Sequence, residues 1–207
     1  TEKMMGWMKE ERPDLTFPVF GHLNSRNDIS IAHCPERVLP GRVLHELTNN
    51  NRIIGGVTSQ CGEHARDLYK KFVNADCLIT DCRTAELSKL VENSFRDVNI
   101  AFANELSLIC DKLNINVWEI IKLSNHHPRV NILQPGPGVG GHCIAVDPWF
   151  IVNSAPNESK LIHTARLVND SKPSFIIKKI EQAAKLINKK RFEIKIACFG
   201  LSFKPNI

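Results

Sequence analysis

Arg52-Ile53-Ile54-Gly55-Gly56 is a short apolar run closed by two glycines, and its reading decides the fold. A β-branched pair bounded by glycine reads as a strand. After it, residues 59 to about 74 read as a helix and Cys77-Leu78-Ile79-Thr80 as a second strand. Before it, Asp28-Ile29-Ser30-Ile31-Ala32-His33 is strand-like and feeds the loop Cys34-Pro35-Glu36-Arg37-Val38-Leu39-Pro40-Gly41, punctuated by two prolines and a glycine. Strand, loop, strand, helix, strand predicts an α/β fold. Residues 2–11 add a short helix stopped ahead of Pro13.

Further along the chain the pattern turns helical. Across 84–113, Leu87, Leu90, Val91, Val98, Ala101, Phe102, Glu105 and Ile109 fall on or near one stripe at ~100° per residue, which predicts one long helix. Asn114 and Asn116 bracket a break before a short helix over 117–123, and a Pro/Gly loop covers 128–141. Helical patterning resumes after Lys160 and runs, interrupted at Pro173, to about Asn188. Ile194-Lys195-Ile196-Ala197-Cys198-Phe199-Gly200 reads as a buried strand that opens a further α/β domain. With no strand–glycine–helix unit before Thr1, the sequence reads as the middle portion of a longer chain.

Composition narrows the class. The 207 residues are 43% apolar, enough for one or two packed domains. No run approaches the ~20 apolar residues of a membrane span, and residues 1–7 lack the layout of a secretory signal, so the expectation is a cytoplasmic protein. Seven scattered cysteines without a CxxC pair argue against a disulfide scaffold and against a structural zinc site. The +5 net charge gathers between Lys172 and Lys195, where lysines alternate with isoleucines and leucines. That patterning fits the solvated face of a connecting helix better than nucleic-acid binding.

Gly136-Pro137-Gly138-Val139-Gly140-Gly141 satisfies Gly-x-Gly-x-x-Gly literally, but no strand precedes it and Pro137 sits inside the turn. A dinucleotide fingerprint needs a strand before it and a helix starting within it. The loop instead delivers Cys143, near the start of a helix that would favour its thiolate, with Asp147 one turn later on the same side. Two readings stand at this point: a nucleophilic thiol, or a tight turn with a buried cysteine. On the long helix Lys89, Asn93 and Arg96 share a face opposite the Leu90/Val91/Val98 stripe. They are either a solvated surface or an oxyanion cradle, since an ammonium and a carboxamide both donate toward developing negative charge.

Four segments occur in a telling order. They are Ala85-Glu86-Leu87-Ser88-Lys89-Leu90-Val91-Glu92-Asn93, Ala101-Phe102-Ala103-Asn104-Glu105, Pro135-Gly136-Pro137-Gly138-Val139-Gly140-Gly141-His142-Cys143 and Gly200-Leu201-Ser202-Phe203-Lys204-Pro205-Asn206. In order and spacing they resemble the UDP-glucose/GDP-mannose dehydrogenase family. The loop at 34–41 and His126-His127-Pro128-Arg129 are similar to its N-acetylhexosamine branch.

The resemblance implies an NAD-dependent, four-electron oxidation of the C6 hydroxyl of a UDP-sugar to a carboxylate. UDP-N-acetyl-D-mannosamine is the implied substrate, with UDP-N-acetylglucosamine and UDP-glucose as alternatives. It further implies Cys143 as nucleophile, Lys89 and Asn93 as oxyanion donors, Asp147 as support for Lys89 or the hydrolytic water, and Glu36 as a further group ordering water, Glu36 and Cys143 also facing NAD. Arg37, Val38, Lys89, Asn93, Arg96, His127, Arg129, Gly140 and Lys204 would contact the sugar nucleotide. A homodimer on the central helices is implied too, with Arg129 reaching into the partner's site.

The implied organisation is the C-terminal part of a Rossmann-like NAD domain at 1–82 and an all-helical substrate and dimerisation domain at 83–160. A connecting helix at 161–190 and the first strand of a second Rossmann-like, UDP-binding domain at 191–207 complete it. Two rivals of other classes are a non-catalytic dimerisation remnant and a cysteine hydrolase pairing Cys143 with His142 or His127.

Overall fold

The computed structural model describes residues 1–21, 27–39, 41–187 and 189–200. Among them are seven α-helices and one three-stranded sheet, the α/β class expected from the sequence. The chain divides into two compact units, Thr1–Lys89 and the part from Leu90 onward.

The first unit holds α1 (Glu2–Glu11), β1 (Ala32–His33), α2 (Val43–Asn49), β2 (Arg52–Gly56), α3 (Ser59–Tyr69) and β3 (Cys77–Asp81). The sheet order is β1-β2-β3. β2 lies parallel to β3, with Ile53 opposite Leu78 and Ile54 opposite Ile79, and α3 makes the crossover. β1 runs antiparallel to β2. The glycine that closes β2 is a packing requirement. A Cβ on Gly56 would lie 2.3 Å from the Thr58 carbonyl oxygen and 2.5 Å from Gly62 N, so only glycine lets α3 start this close to the strand. Thr58 caps α3, its hydroxyl accepting from Cys61 N–H at 3.2 Å. Met5 of α1 closes an apolar core with Phe17, Val57 and Cys82.

Three elements here depart from expectation. Only Ala32 and His33 pair in β1, so the strand-like run from Asp28 is mostly extended coil. α3 stops at Tyr69, where the chain turns: Phe72 N–H donates to the Tyr69 carbonyl at 3.0 Å and Asn74 N–H to the Thr48 carbonyl at 2.8 Å. The seven-residue α2 was unread in the sequence; Glu46 on it ties the preceding loop by accepting from Leu39 N–H at 2.7 Å.

α4 (Cys82–Leu113) follows β3 directly and runs on into the second unit, joined there by α5 (Val117–Ser124), α6 (Asp147–Ser154), α7 (Lys160–Lys185) and a 3-10 turn at Arg191–Glu193. The amphipathicity of α4 is inverted. Val91, Phe95, Phe102, Ile109 and Leu113 share one face and are exposed, from 49% at Val91 to 68% at Phe95. The opposite, polar stripe of Asn93, Asp97 and Asn104 is buried. What it meets is polar too. Arg166 Nη1 of α7 donates to Asp97 Oδ1 at 2.6 Å, and Asn169 Nδ2 donates to the same oxygen at 2.8 Å. Burial raises the Asp97 carboxyl above the usual carboxylate range, against the opposing pull of Arg166 and Asn169.

α7 passes through Pro173 without the expected interruption. Buried Arg166 and Asn169 hold the preceding turns, and the proline ring packs on Gly138, where a Cβ would lie 3.1 Å from Pro173 Cγ. The expected buried strand at 194–200 is not formed. Those residues are coil, with Ile196 61% and Phe199 95% exposed, because among the described residues no strand pairs with them. No described helix is long and apolar enough to cross a membrane.

Candidate active site

Cys143 stands at the end of the glycine loop. Gly141, two residues earlier, has φ +82°, a left-handed conformation that glycine adopts at no steric cost. The Cys143 carbonyl then accepts from Val146 N–H at 3.1 Å and Asp147 N–H at 2.8 Å, a turn that leads straight into α6. The thiol is free and exposed, which removes the buried-cysteine reading.

Asp147 opens α6, with Pro148 next and buried, a placement suited to a proline in the first turn. Across from it Asn93 Nδ2 of α4 donates to Asp147 Oδ2 at 2.6 Å. Asn93 is 5% exposed, so the polar face of α4 is no solvated surface here. The structure thus brings Cys143, Asp147 and Asn93 onto one hydrogen-bonded substructure of the second unit. Lys89, half-buried, lies one helical turn before Asn93 on α4.

The remaining expected residues are placed around this nucleus or apart from it. Arg96, His127, Arg129 and Gly140 are exposed in the second unit. His127 Nδ1 accepts from Arg129 N–H at 3.3 Å, and the loop beyond is clamped by Asn125, whose amide exchanges two bonds with the Ile132 backbone at 2.7 and 2.9 Å. In the first unit Glu36 Oε1 accepts from Arg52 Nη1 at 2.6 Å and from Arg37 N–H at 2.7 Å. Arg52 itself is buried and also donates to the Leu47 carbonyl at 2.8 Å, so a rigid guanidinium fixes the exposed Glu36. Val38 is half-buried on the same loop. Lys204 lies outside the described residues.

Four residues that build the site carry no role in the sequence reading: Asp97, Asn104, Arg166 and Asn169. A local signal exists for two of them: Asp97 and Asn104 fall with Asn93 within ~40° of arc on α4, opposite the apolar stripe.

For a dinucleotide, the parallel pair β2–β3 with its α3 crossover is the kind of unit whose carboxyl strand ends bind nucleotides. The literal Gly-x-Gly-x-x-Gly at 136–141 lies in coil with no strand before it. The residues present therefore fit the flank of such a site, with Glu36 available, and not its phosphate cradle.

Residues 1–73 match the model of the UDP-glucose/GDP-mannose dehydrogenase family's NAD binding domain, and residues 83–171 the model of its central domain. The chain is 63% identical over all its 207 residues to a UDP-N-acetyl-D-mannosamine dehydrogenase of Campylobacter jejuni, covering 49% of that protein. It is 60% identical to an NDP-N-acetyl-D-galactosaminuronic acid dehydrogenase of Ralstonia solanacearum, covering 48% of it. Among solved structures, a UDP-N-acetyl-mannosamine dehydrogenase of Staphylococcus aureus superposes with TM-score 0.76 at 51% identity, over 89% of this chain and 42% of that one. The chain spans about half the length of the curated relatives it matches. Taken with the Cys143–Asp147–Asn93 geometry, these matches mean that the chain belongs to the UDP-glucose/GDP-mannose dehydrogenase family.

Proposed function

We propose that the full-length protein oxidises the C6 hydroxyl of UDP-N-acetyl-D-mannosamine to the carboxylate, with Cys143 as covalent nucleophile. The observation that carries this reading is the 2.6 Å bond from Asn93 to Asp147 beside the turn that presents Cys143. NAD, when bound, supplies the acceptor for the hydrides that leave C6. Once C6 is an aldehyde, the Cys143 sulfur adds to it and the carbonyl oxygen takes a proton, giving a thiohemiacetal. Loss of the remaining C6 hydrogen as hydride, and of the hydroxyl proton, leaves a thioester. Water adds to the thioester, the C–S bond breaks, and the thiolate leaves with the carboxylate formed.

Asn93 serves the oxyanion of the tetrahedral species. Its NH2 group gives one N–H to Asp147 and has another to offer, with Lys89 adding an ammonium one turn away. Asp147 orients that amide and orders the hydrolytic water, with Glu36 as a further support. Arg37, Val38, Arg96, His127, Arg129 and Gly140 are the sugar-nucleotide contacts, and Lys204 completes them. The parts have separate tasks: 1–82 flanks NAD, 83–160 carries the chemistry and a homodimer interface, 161–190 connects, and 191–207 begins a UDP-binding domain. The proposed setting is the cytoplasm, where NAD and UDP-sugars are available.

The Ralstonia relative favours a second reading, an N-acetylgalactosamine-configured substrate. The test is NADH formation by the full-length protein from a panel of UDP-sugars. UDP-N-acetyl-D-mannosamine is expected to exceed UDP-N-acetylglucosamine and UDP-glucose by at least about tenfold in kcat/KM. Preference for UDP-N-acetylgalactosamine would select the second reading, and no NADH from any of them would end both.

A further inference from the structure

The loop that presents Cys143 is tied down at three points, and two of the ties are made by residues outside the reacting groups. At its start Gly136 N–H donates to Asn104 Oδ1 at 2.9 Å. In its middle Gly138 lies against Pro173 of α7, so closely that a Cβ would sit 3.1 Å from Cγ and 3.4 Å from Cδ. At its end Asp147 receives Asn93. Asn93 and Asn104 are eleven residues apart on α4, ~16 Å along the axis, and Gly136 and Asp147 are likewise eleven residues apart in the loop. An eleven-residue stretch can extend to ~36 Å, so its course is set by where its ends are held.

The tie at Gly136 has a fixed direction. Asn104 Nδ2 donates to Asn169 Oδ1 at 2.8 Å, Asn169 Nδ2 donates to Asp97 Oδ1 at 2.8 Å, and Arg166 Nη1 donates to that same oxygen at 2.6 Å. Each bond leaves the next amide a single acceptable orientation. With Asp97 demanding a donor, Asn169 must turn its oxygen to Asn104, and Asn104 must turn its oxygen to Gly136. Flipping either amide would set N–H against N–H in a space where all four side chains are essentially solvent-free. Arg166 is further held by an ion pair with Asp170.

We propose that Asn104, oriented by the Asn169–Asp97–Arg166 relay, is a positioning residue for Cys143: it fixes the start of the glycine loop so that the thiol arrives at C6. The inference rests on Cys143 being the nucleophile. Packing alone would not need the relay, because leucine and alanine fill a helix–helix seam without buried polar groups, and polar seams persist where they specify one arrangement.

The experiment is steady-state kinetics of the full-length protein carrying Asn104→Ala, Gly138→Ala, Ile121→Val or Cys143→Ala. Gly138→Ala disturbs the loop through Pro173 without touching the relay, so it reports whether the course of the loop sets kcat even if Asn104→Ala fails to fold. Ile121, buried on α5, is the control for general loosening. Asn104→Ala and Gly138→Ala are each expected to lower kcat by about 10- to 100-fold with KM within about threefold of wild type, as misplacement of a reacting group does. Ile121→Val is expected to stay within about twofold in both constants. Wild-type kcat in Asn104→Ala and Gly138→Ala, a loss carried wholly by KM, or an equal loss in Ile121→Val overturns the positioning role. Cys143→Ala separates the two claims. Full turnover in it sinks the nucleophile and the positioning role together, whereas its inactivity beside normal Asn104→Ala and Gly138→Ala variants sinks positioning alone.

Discussion

A carboxamide buried to 5% exposure and bonded to Asp147 at 2.6 Å has lost its rotational freedom before any substrate arrives. Preorganised donors of this kind are worth most where water is excluded, so Asn93→Ala is expected to lower kcat by about 10²–10³-fold, measured as NADH formation by the full-length protein. A second single-residue outcome concerns Lys172, 2% exposed, whose Nζ donates to Ser107 Oγ at 2.6 Å. Burial pulls its pKa below the ordinary lysine value, partly offset by Asp111. The folded state thus holds this proton less tightly than the unfolded chain, and the charged ammonium costs stability below the folded pKa. That cost fades as pH rises from the lowered folded value toward the unfolded one. Lys172→Met is therefore expected to raise Tm at neutral pH by about 2–4 °C, with the gain shrinking as the buffer becomes alkaline. A gain independent of pH would contradict the assignment. Cys143 and Asn93 stand out as candidates in the sequence because a glycine loop and a helix face are local patterns, which leave their roles open. Asn104, Asn169 and Arg166 do not, since the bonds that join α4 to α7 span 65 to 72 positions and only folding makes them.

Long elements were the legible ones. The stretch 84–113 showed its helical period plainly, and α4 is Cys82–Leu113. What the period could not show is which side faces in. The seam with α7 is polar, built on Asp97, Asn104, Arg166 and Asn169, and it leaves the apolar stripe outside. An exposed apolar stripe on one helix marks a surface suited to contact with another molecule or further chain. With the proposed homodimer on that face, Phe102→Asp is expected to yield monomers by analytical ultracentrifugation while Asn99→Asp does not. Short elements were poorly legible. α2 has seven residues, too few to display a period, and β1 pairs through two. The run at 194–200 shows the converse: its composition is that of a strand, but strand formation depends on a neighbour, which no local pattern supplies.

The chain comprises a small unit built on a mixed three-stranded sheet and a helical unit, and α4 contributes residues to both. The α/β class was legible because β2, α3 and β3 follow one another with their glycines in place. The family was legible from motifs that lie on both units, and its two domain models match on either side of residue 82. Every part of the proposed function converges on the exposed sulfur that the glycine loop presents. The decisive measurement is uronate formation by the full-length protein carrying Cys143→Ala, with substrate affinity measured beside it. Uronate formation is expected to fall by at least about 10³-fold while the substrate Kd stays within about threefold of wild type. Uronate produced at the wild-type rate would contradict the role of Cys143 as nucleophile.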